Sequence, residues 1–227
     1  MPHNRFSNYI FVVGAQKGGT TALHSFLVQH PSIVGGSRKE LHFFNRENVY
    51  AKGLPYYVSH YPVFSRGKYA LDSTPAYLYS TEAPERIHAF SPEAKIIILL
   101  REPISRAFSA FNMYKQLVGS KSFQFNLLNA ERRSKSFFMP IAKGEIDPNI
   151  DYFLDRELAM IRDNVEGGEP ALIRRGIYAM QIQRYLEFFG STNVLILFSD
   201  SLREETKGTV NQAFSFLNLE PMSDLKL

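Results

Sequence analysis

FVVGAQKGGTTAL occupies residues 11–23 of this 227-residue chain. Its first half belongs to a β-branched and aromatic run, residues 9–13, that reads as a buried strand; after the glycines, Leu23, Phe26 and Leu27 fall at helical spacing. A strand, a glycine-rich turn and a helix in that order let several backbone amides point at one anion, and the helix dipole adds to the attraction. Lys17 sets a cation among those amides, and Thr20 and Thr21 open the helix with two hydroxyls. A single glycine here would suggest only a tight connection with an exposed lysine. The whole cluster favours an anion site.

The same order recurs downstream. KIIILL, residues 95–100, has five consecutive apolar residues, which implies burial on both faces as in a parallel sheet covered by helices. Arg101 follows at its carboxyl end, and Pro103 stands where a helix begins, since its missing amide hydrogen is not needed there. Short strands are expected over 32–34 and 69–72 and a longer one over 193–200, with helices over 177–189 and 206–217. Strands alternating with helices predict an α/β fold: a P-loop-type parallel β-sheet flanked by helices on both faces, with ligands at the carboxyl ends of the strands.

The length suits a single domain over residues 1–227, and 19 Phe with 12 Tyr predict an aromatic core. A net charge of +4 without any run of basic residues gives no argument for nucleic acid as a partner, but is compatible with small anions. Absence of cysteine excludes disulfides and thiolate chemistry. Nothing approaches eighteen apolar residues in a row, so no membrane segment is expected and a cytoplasmic location is. The six histidines, at 3, 24, 30, 42, 60 and 88, show no pair at ligand spacing, and no metal is expected. Residues 119–150 read as a polar, irregular flap or surface excursion. Oligomeric state is not legible.

A Walker A loop needs G-x-x-x-x-G-K-[ST], its lysine reaching terminal phosphates and its hydroxyl holding magnesium. Here Lys17 precedes Gly18 and Gly19 instead of following them. The order G-x-x-K-G-G-T-T resembles the phosphosulfate loop of sulfotransferases that use 3′-phosphoadenosine 5′-phosphosulfate (PAPS). In IIILLREPISRAFSAF, Arg101 and Ser109 stand at the spacing at which that family holds the donor's 3′-phosphate. SRKELHFF, residues 37–44, is similar to the catalytic segment of heparan sulfate N-sulfotransferases and 3-O-sulfotransferases, with Glu40 matching the glutamate that serves as general base. His42, two residues on, points to the same side if the piece is extended.

LDSTPAYLYS, residues 71–80, is similar to the K-T-P-A-Y segment of the 3-O-sulfotransferases, but Ser73 takes the lysine's place and leaves Lys17 to carry more of the charge. RRGIYAMQIQRYLEFF, residues 174–189, resembles an N-sulfotransferase segment that puts Arg175 by the cofactor's phosphates and Tyr178 by the adenine; core packing is an equal reading for Tyr178. The family's basic, glycine-containing loop that closes over the 3′-phosphate has no counterpart before the sequence stops.

The resemblance implies sulfuryl transfer from PAPS to a hydroxyl or amine acceptor, a small molecule or a glycan, releasing adenosine 3′,5′-bisphosphate without a metal. Gln16, Lys17, Gly18, Gly19, Thr20 and Thr21, with Arg101, Ser109, Arg175 and Tyr178, would hold the donor; Glu40, Lys17 and His42 would act in transfer. Two other readings stay open: a P-loop nucleotide or small-molecule kinase, for which Asp72 would be the weak candidate metal acid, and a non-catalytic binder of anions or adenosine bisphosphate.

Overall fold

The computed structural model describes residues 6–63, 67–128, 137–165 and 168–227. Five strands form one wholly parallel sheet: β1 (Asn8–Gly14), β2 (Ile33–Gly35), β3 (Tyr69–Ser73), β4 (Lys95–Leu100) and β5 (Val194–Phe198), in the order β2-β3-β1-β4-β5. β1 is central, and Val12 lies beside Ser73 of β3. The last expected strand is shorter than 193–200, because Ser199 and Asp200 already begin a helix.

Alternation along the strands sorts their side chains into two cores. Tyr9, Phe11 and Val13 of β1 and Ile96, Ile98 and Leu100 of β4 face one side, with Phe43, Phe44, Tyr57, Tyr77 and Tyr185. Ile10, Val12, Ile97 and Leu99 face the other, with Leu23, Leu27, Val210 and Phe214. Both faces of the sheet are therefore dry, which is why its strands read as unbroken apolar runs. Of these two cores the first is the more aromatic, and rings there meet edge-on, as Phe44 does with Phe11 at 5.6 Å and with Tyr77 at 5.8 Å.

The helices are α1 (Thr20–Leu27), α2 (Glu47–Tyr50), α3 (Gly53–Ser59), α4 (Ala83–Phe90), α5 (Pro103–Gly119), α6 (Lys121–Leu128), α7 (Met139–Ala142), α8 (Ile150–Arg162), α9 (Tyr178–Phe189), α10 (Ser199–Glu204) and α11 (Thr206–Phe216). The chain divides into two compact units. One joins Met1–Arg101 to Tyr178–Leu227 and holds the sheet; the other is Glu102–Ile177.

The second unit is helical and begins with a strong cap. The Glu102 carboxylate accepts from the amides of Ile104 and Ser105, and Pro103 takes the first helical position. Its own core gathers Phe111, Tyr114, Phe138 and Phe153. Within the stretch from 119 to 150, read as an irregular flap or surface excursion, Lys121–Leu128 and Met139–Ala142 form α6 and α7. Residues 129–136 of that stretch lie outside the described residues.

Candidate active site

Gly14 to Thr21 forms the loop between β1 and α1. Ala15 donates its amide to Leu99 O at 2.7 Å and Gly18 to Ala15 O at 2.9 Å, so the turn is folded back on the end of β4. Gly18 admits no side chain: a Cβ there would stand 2.5 Å from Leu99 O and 2.9 Å from Ala15 O. Gly19 has φ +93°, and Lys17 also takes a left-handed φ of 66°, a costly state for a residue with a side chain. Strain of this kind survives only where surrounding contacts impose it. Here the Arg101 guanidinium donates Nη1 to Lys17 O at 3.2 Å, and Ser199, at the end of β5, donates its hydroxyl to Gly18 O.

That arrangement leaves donors available. α1 has no side-chain cap, and Leu23 N to Gly19 O is the hydrogen bond that opens the helix, so the amides from Thr20 to Ala22 have no intrahelical acceptor. Gln16 Oε1 is buried with no hydrogen-bond partner among the described residues. A loop with open amides, an adjacent lysine and an arginine fits an anionic group such as a phosphosulfate. Tyr178, at the start of α9, donates its hydroxyl to Arg101 O at 2.8 Å while its ring packs on the aromatic core. It braces the arginine from the chain behind it.

Ser109 and Arg175 belong to the second unit. Ser109 is half-buried on α5. Arg175 is buried and its Nη2 lies 2.6 Å from Glu169 Oε1, a carboxylate that also accepts from Tyr114. Its charge is balanced inside the unit.

The 37–44 segment follows β2. Glu40 (φ 64°) and His42 (φ 54°) both adopt left-handed backbone, so the piece is not extended, yet their side chains still meet, His42 Nε2 to Glu40 Oε2 at 3.7 Å. Leu41 is buried between them, as are Phe43 and Phe44 beyond. His42 Nδ1 lies 3.2 Å from Asn45 Oδ1, and its Nε2 faces the Glu40 carboxylate. Lys39 Nζ is 2.6 Å from Glu40 Oε1. His42 and then Lys39 hold the Glu40 carboxyl at about 2, against a burial effect that would raise it.

A second carboxylate fastens this segment to the sheet. Asp72 on β3 is fully buried and accepts from Thr74 Oγ1 at 2.6 Å, Tyr77 OH at 2.9 Å and Tyr57 OH at 3.4 Å. Tyr77 OH in turn accepts from the amides of Phe43 (3.0 Å) and Phe44 (3.4 Å). Burial pushes the Asp72 carboxyl up to about 6, although the three hydroxyls act in the other direction. Enclosed by these hydroxyls, Asp72 is a structural acceptor and not the metal acid a kinase would need. Ser73, next on β3, meets His24 of α1, Oγ to Nδ1 at 2.8 Å. Burial, and then the charge of Lys39, lower the His24 imidazole below its ordinary value.

Reading the sequence alone passed over Ser199, Tyr77, Tyr57 and His24. Ser199 carried a signal, a hydroxyl at the carboxyl end of an apolar strand. The tyrosines carried none, since an aromatic in a run such as GLPYYVSHYP reads as core or ligand surface alike.

A parallel sheet with an anion loop after its central strand, and a held carboxylate beyond the edge strand β2, defines a P-loop-type α/β protein of the kind that handles phosphate or sulfate esters. Residues 7–225 match the family model described as Sulfotransferase domain, and the chain belongs to that family. It is 31% identical over 210 residues to heparan sulfate glucosamine 3-O-sulfotransferase 5 of Mus musculus, covering 92% of this chain and 53% of the relative. It is also 31% identical over 217 residues to bifunctional heparan sulfate N-deacetylase/N-sulfotransferase 3 of Homo sapiens, covering 92% and 22%. The chain thus spans about half the length of the first of these, and less of the second.

Among solved structures, a sulfotransferase from Alicyclobacillus acidocaldarius is 26% identical, with a TM-score of 0.67 over 97% of this chain and 86% of that one. A mouse sulfotransferase, SULT7A1, solved in complex with PAP, shares the fold at 18% identity and a TM-score of 0.52, over 94% and 58%. None of these favours a nucleotide kinase.

Proposed function

We propose that this domain transfers a sulfuryl group from PAPS to a hydroxyl or amine of a carbohydrate acceptor. The observation that carries the reading is the loop after β1, where Lys17 is followed by open amides and no side chain fits at Gly18. The names of the heparan sulfate relatives support a glycan as acceptor, and PAP in the mouse structure supports the nucleotide.

PAPS supplies an activated sulfuryl group on a phosphate leaving group. Lys17 and the amides of Gly19 to Thr21 hold the 5′-phosphosulfate, and Gln16 lines the same turn. Arg101, fixed through Lys17 O and Tyr178, offers its remaining guanidinium donors to phosphate. Glu40 accepts the proton of the attacking group, and His42 orients that carboxylate. As the acceptor's lone pair forms the new bond to sulfur, the bond between sulfur and the bridging oxygen breaks with its electron pair going to the phosphate. Lys17 neutralises that oxygen. Positioning and charge stabilisation account for most of the acceleration in transfers of this type.

The test is transfer of label from the donor's sulfonate to a panel of oligosaccharides, amines and phenols. Label in a glycan, with adenosine bisphosphate released in equal amount, is the expected result; donor-independent ATP turnover with magnesium would overturn it.

A further inference from the structure

Lys39 stands in an unusual relation to its partner. In the Lys39–Glu40 pair the lysine side chain is 19% exposed and the carboxylate 44%. Lysine is ordinarily the residue whose head reaches for water; here it is the more covered member of the pair. Its charge is felt by His24, whose ring rests on Gly35 at the end of β2, where a Cβ would come within 3.3 Å of Cε1, and bonds to Ser73 at the end of β3. Ser73 is beside Val12 of β1, two residues before the anion loop begins. Lys39 is thus linked, through its effect on His24 and the His24–Ser73 bond, to the strand ends from which the loop springs.

Resting on the transferase reading above, this position meets a problem of charge. A carboxylate that approaches an acceptor in line with a sulfonate brings two anions toward each other, and like charges at short range oppose that approach unless a cation stands between them. A carboxylate held as low as about 2 is also a feeble proton acceptor. We propose that Lys39 is a second cation of the transfer site, resting on Glu40 in the absence of donor and shifting to the sulfonate oxygens when donor binds, so that Glu40 is released to take the acceptor's proton. Loss of the 2.6 Å contact makes Glu40 more basic at the moment a base is required. His42 stays with the carboxylate and keeps it aimed.

The test uses Lys39→Met and Lys39→Arg, with binding measured by calorimetry for PAPS and for adenosine 3′,5′-bisphosphate, which lacks the sulfonate. Lys39→Met should weaken PAPS binding about tenfold and leave the bisphosphate unchanged, and Lys39→Arg should restore most of the loss. Carbon-13 NMR of the Glu40 carboxyl should show its titration rising by about one pH unit or more in Lys39→Met, and rising likewise in wild type when donor is added. The turnover number of Lys39→Met should fall about 100-fold. Equal binding of PAPS by wild type and Lys39→Met, or faster turnover in the variant, would mean that Lys39 only clamps Glu40 and would overturn the proposal. Wild-type protein that binds neither nucleotide would instead remove the transferase reading and this one with it.

Discussion

The Gly14–Thr21 loop and the 37–44 segment both carry left-handed residues, but they are held in different ways. The loop is made chiefly by backbone: a turn folded onto Leu99 O, a glycine that excludes a side chain, and a helix with open amides. The segment is made by side chains distant in sequence, with Tyr77, itself bonded to Asp72 of β3, accepting from the amides of Phe43 and Phe44. An anion whose geometry is fixed can be met by rigid backbone. A proton acceptor needs a carboxylate whose surroundings can change, and side-chain partners such as Lys39 allow that.

If the loop is backbone-built, its most damaging change is steric. In Gly18→Ala the new methyl would meet two carbonyl oxygens, at 2.5 and 2.9 Å. Stability should fall by about 3 kcal/mol and nucleotide affinity about 100-fold, measured by urea unfolding and calorimetry. Wild-type affinity in this variant would show that the loop yields more easily than its contacts indicate.

If the segment is built by side chains, one hydroxyl should matter to it and not to the loop. Tyr77→Phe removes the acceptor for Phe43 N and Phe44 N and a donor to Asp72. A loss of about 1–3 kcal/mol is expected, with turnover falling several-fold more than nucleotide affinity. Equal losses in both would erase the distinction between the two regions.

The effect at Asp72 depends on pH. Its folded carboxyl, at about 6, lies above the ordinary 3.8, so the folded state binds the proton more tightly than the unfolded chain does. Its contribution is fully present below 3.8 and is lost as pH rises through about 6, an interval corresponding to at most about 3 kcal/mol. Urea midpoints between pH 4 and 7 should therefore decline with pH by more in wild type than in Asp72→Asn, which cannot titrate. Parallel curves for the two proteins would exclude Asp72 as the source.

How far each region was legible follows from the same contrast. The loop could be read because glycine spacing, a flanking apolar strand and a lysine are local facts; the position of Lys17 ahead of Gly18 even separated it from a Walker loop. The five strands were legible because burial on two faces leaves unbroken apolar runs. Glu40 and His42 were legible as residues but not in their backbone, since Leu41, Phe43 and Phe44 are drawn into the core from positions that only tertiary packing creates. Asp72 looked like a weak metal acid because a sequence does not display the three hydroxyls around it. Arg175 was read as a phosphate contact from the resemblance of its segment, and its ion pair with Glu169 is made by the fold of its own unit.

The most direct measurement is transfer of labelled sulfuryl from PAPS to an oligosaccharide by wild type and by Glu40→Gln, with bisphosphate affinity measured on both. Wild type should label the acceptor, and Glu40→Gln should bind the nucleotide equally while transferring about 100-fold more slowly or less. Transfer at the wild-type rate by Glu40→Gln would contradict the assignment of the base, and absence of transfer by wild type to any glycan would contradict the proposed reaction.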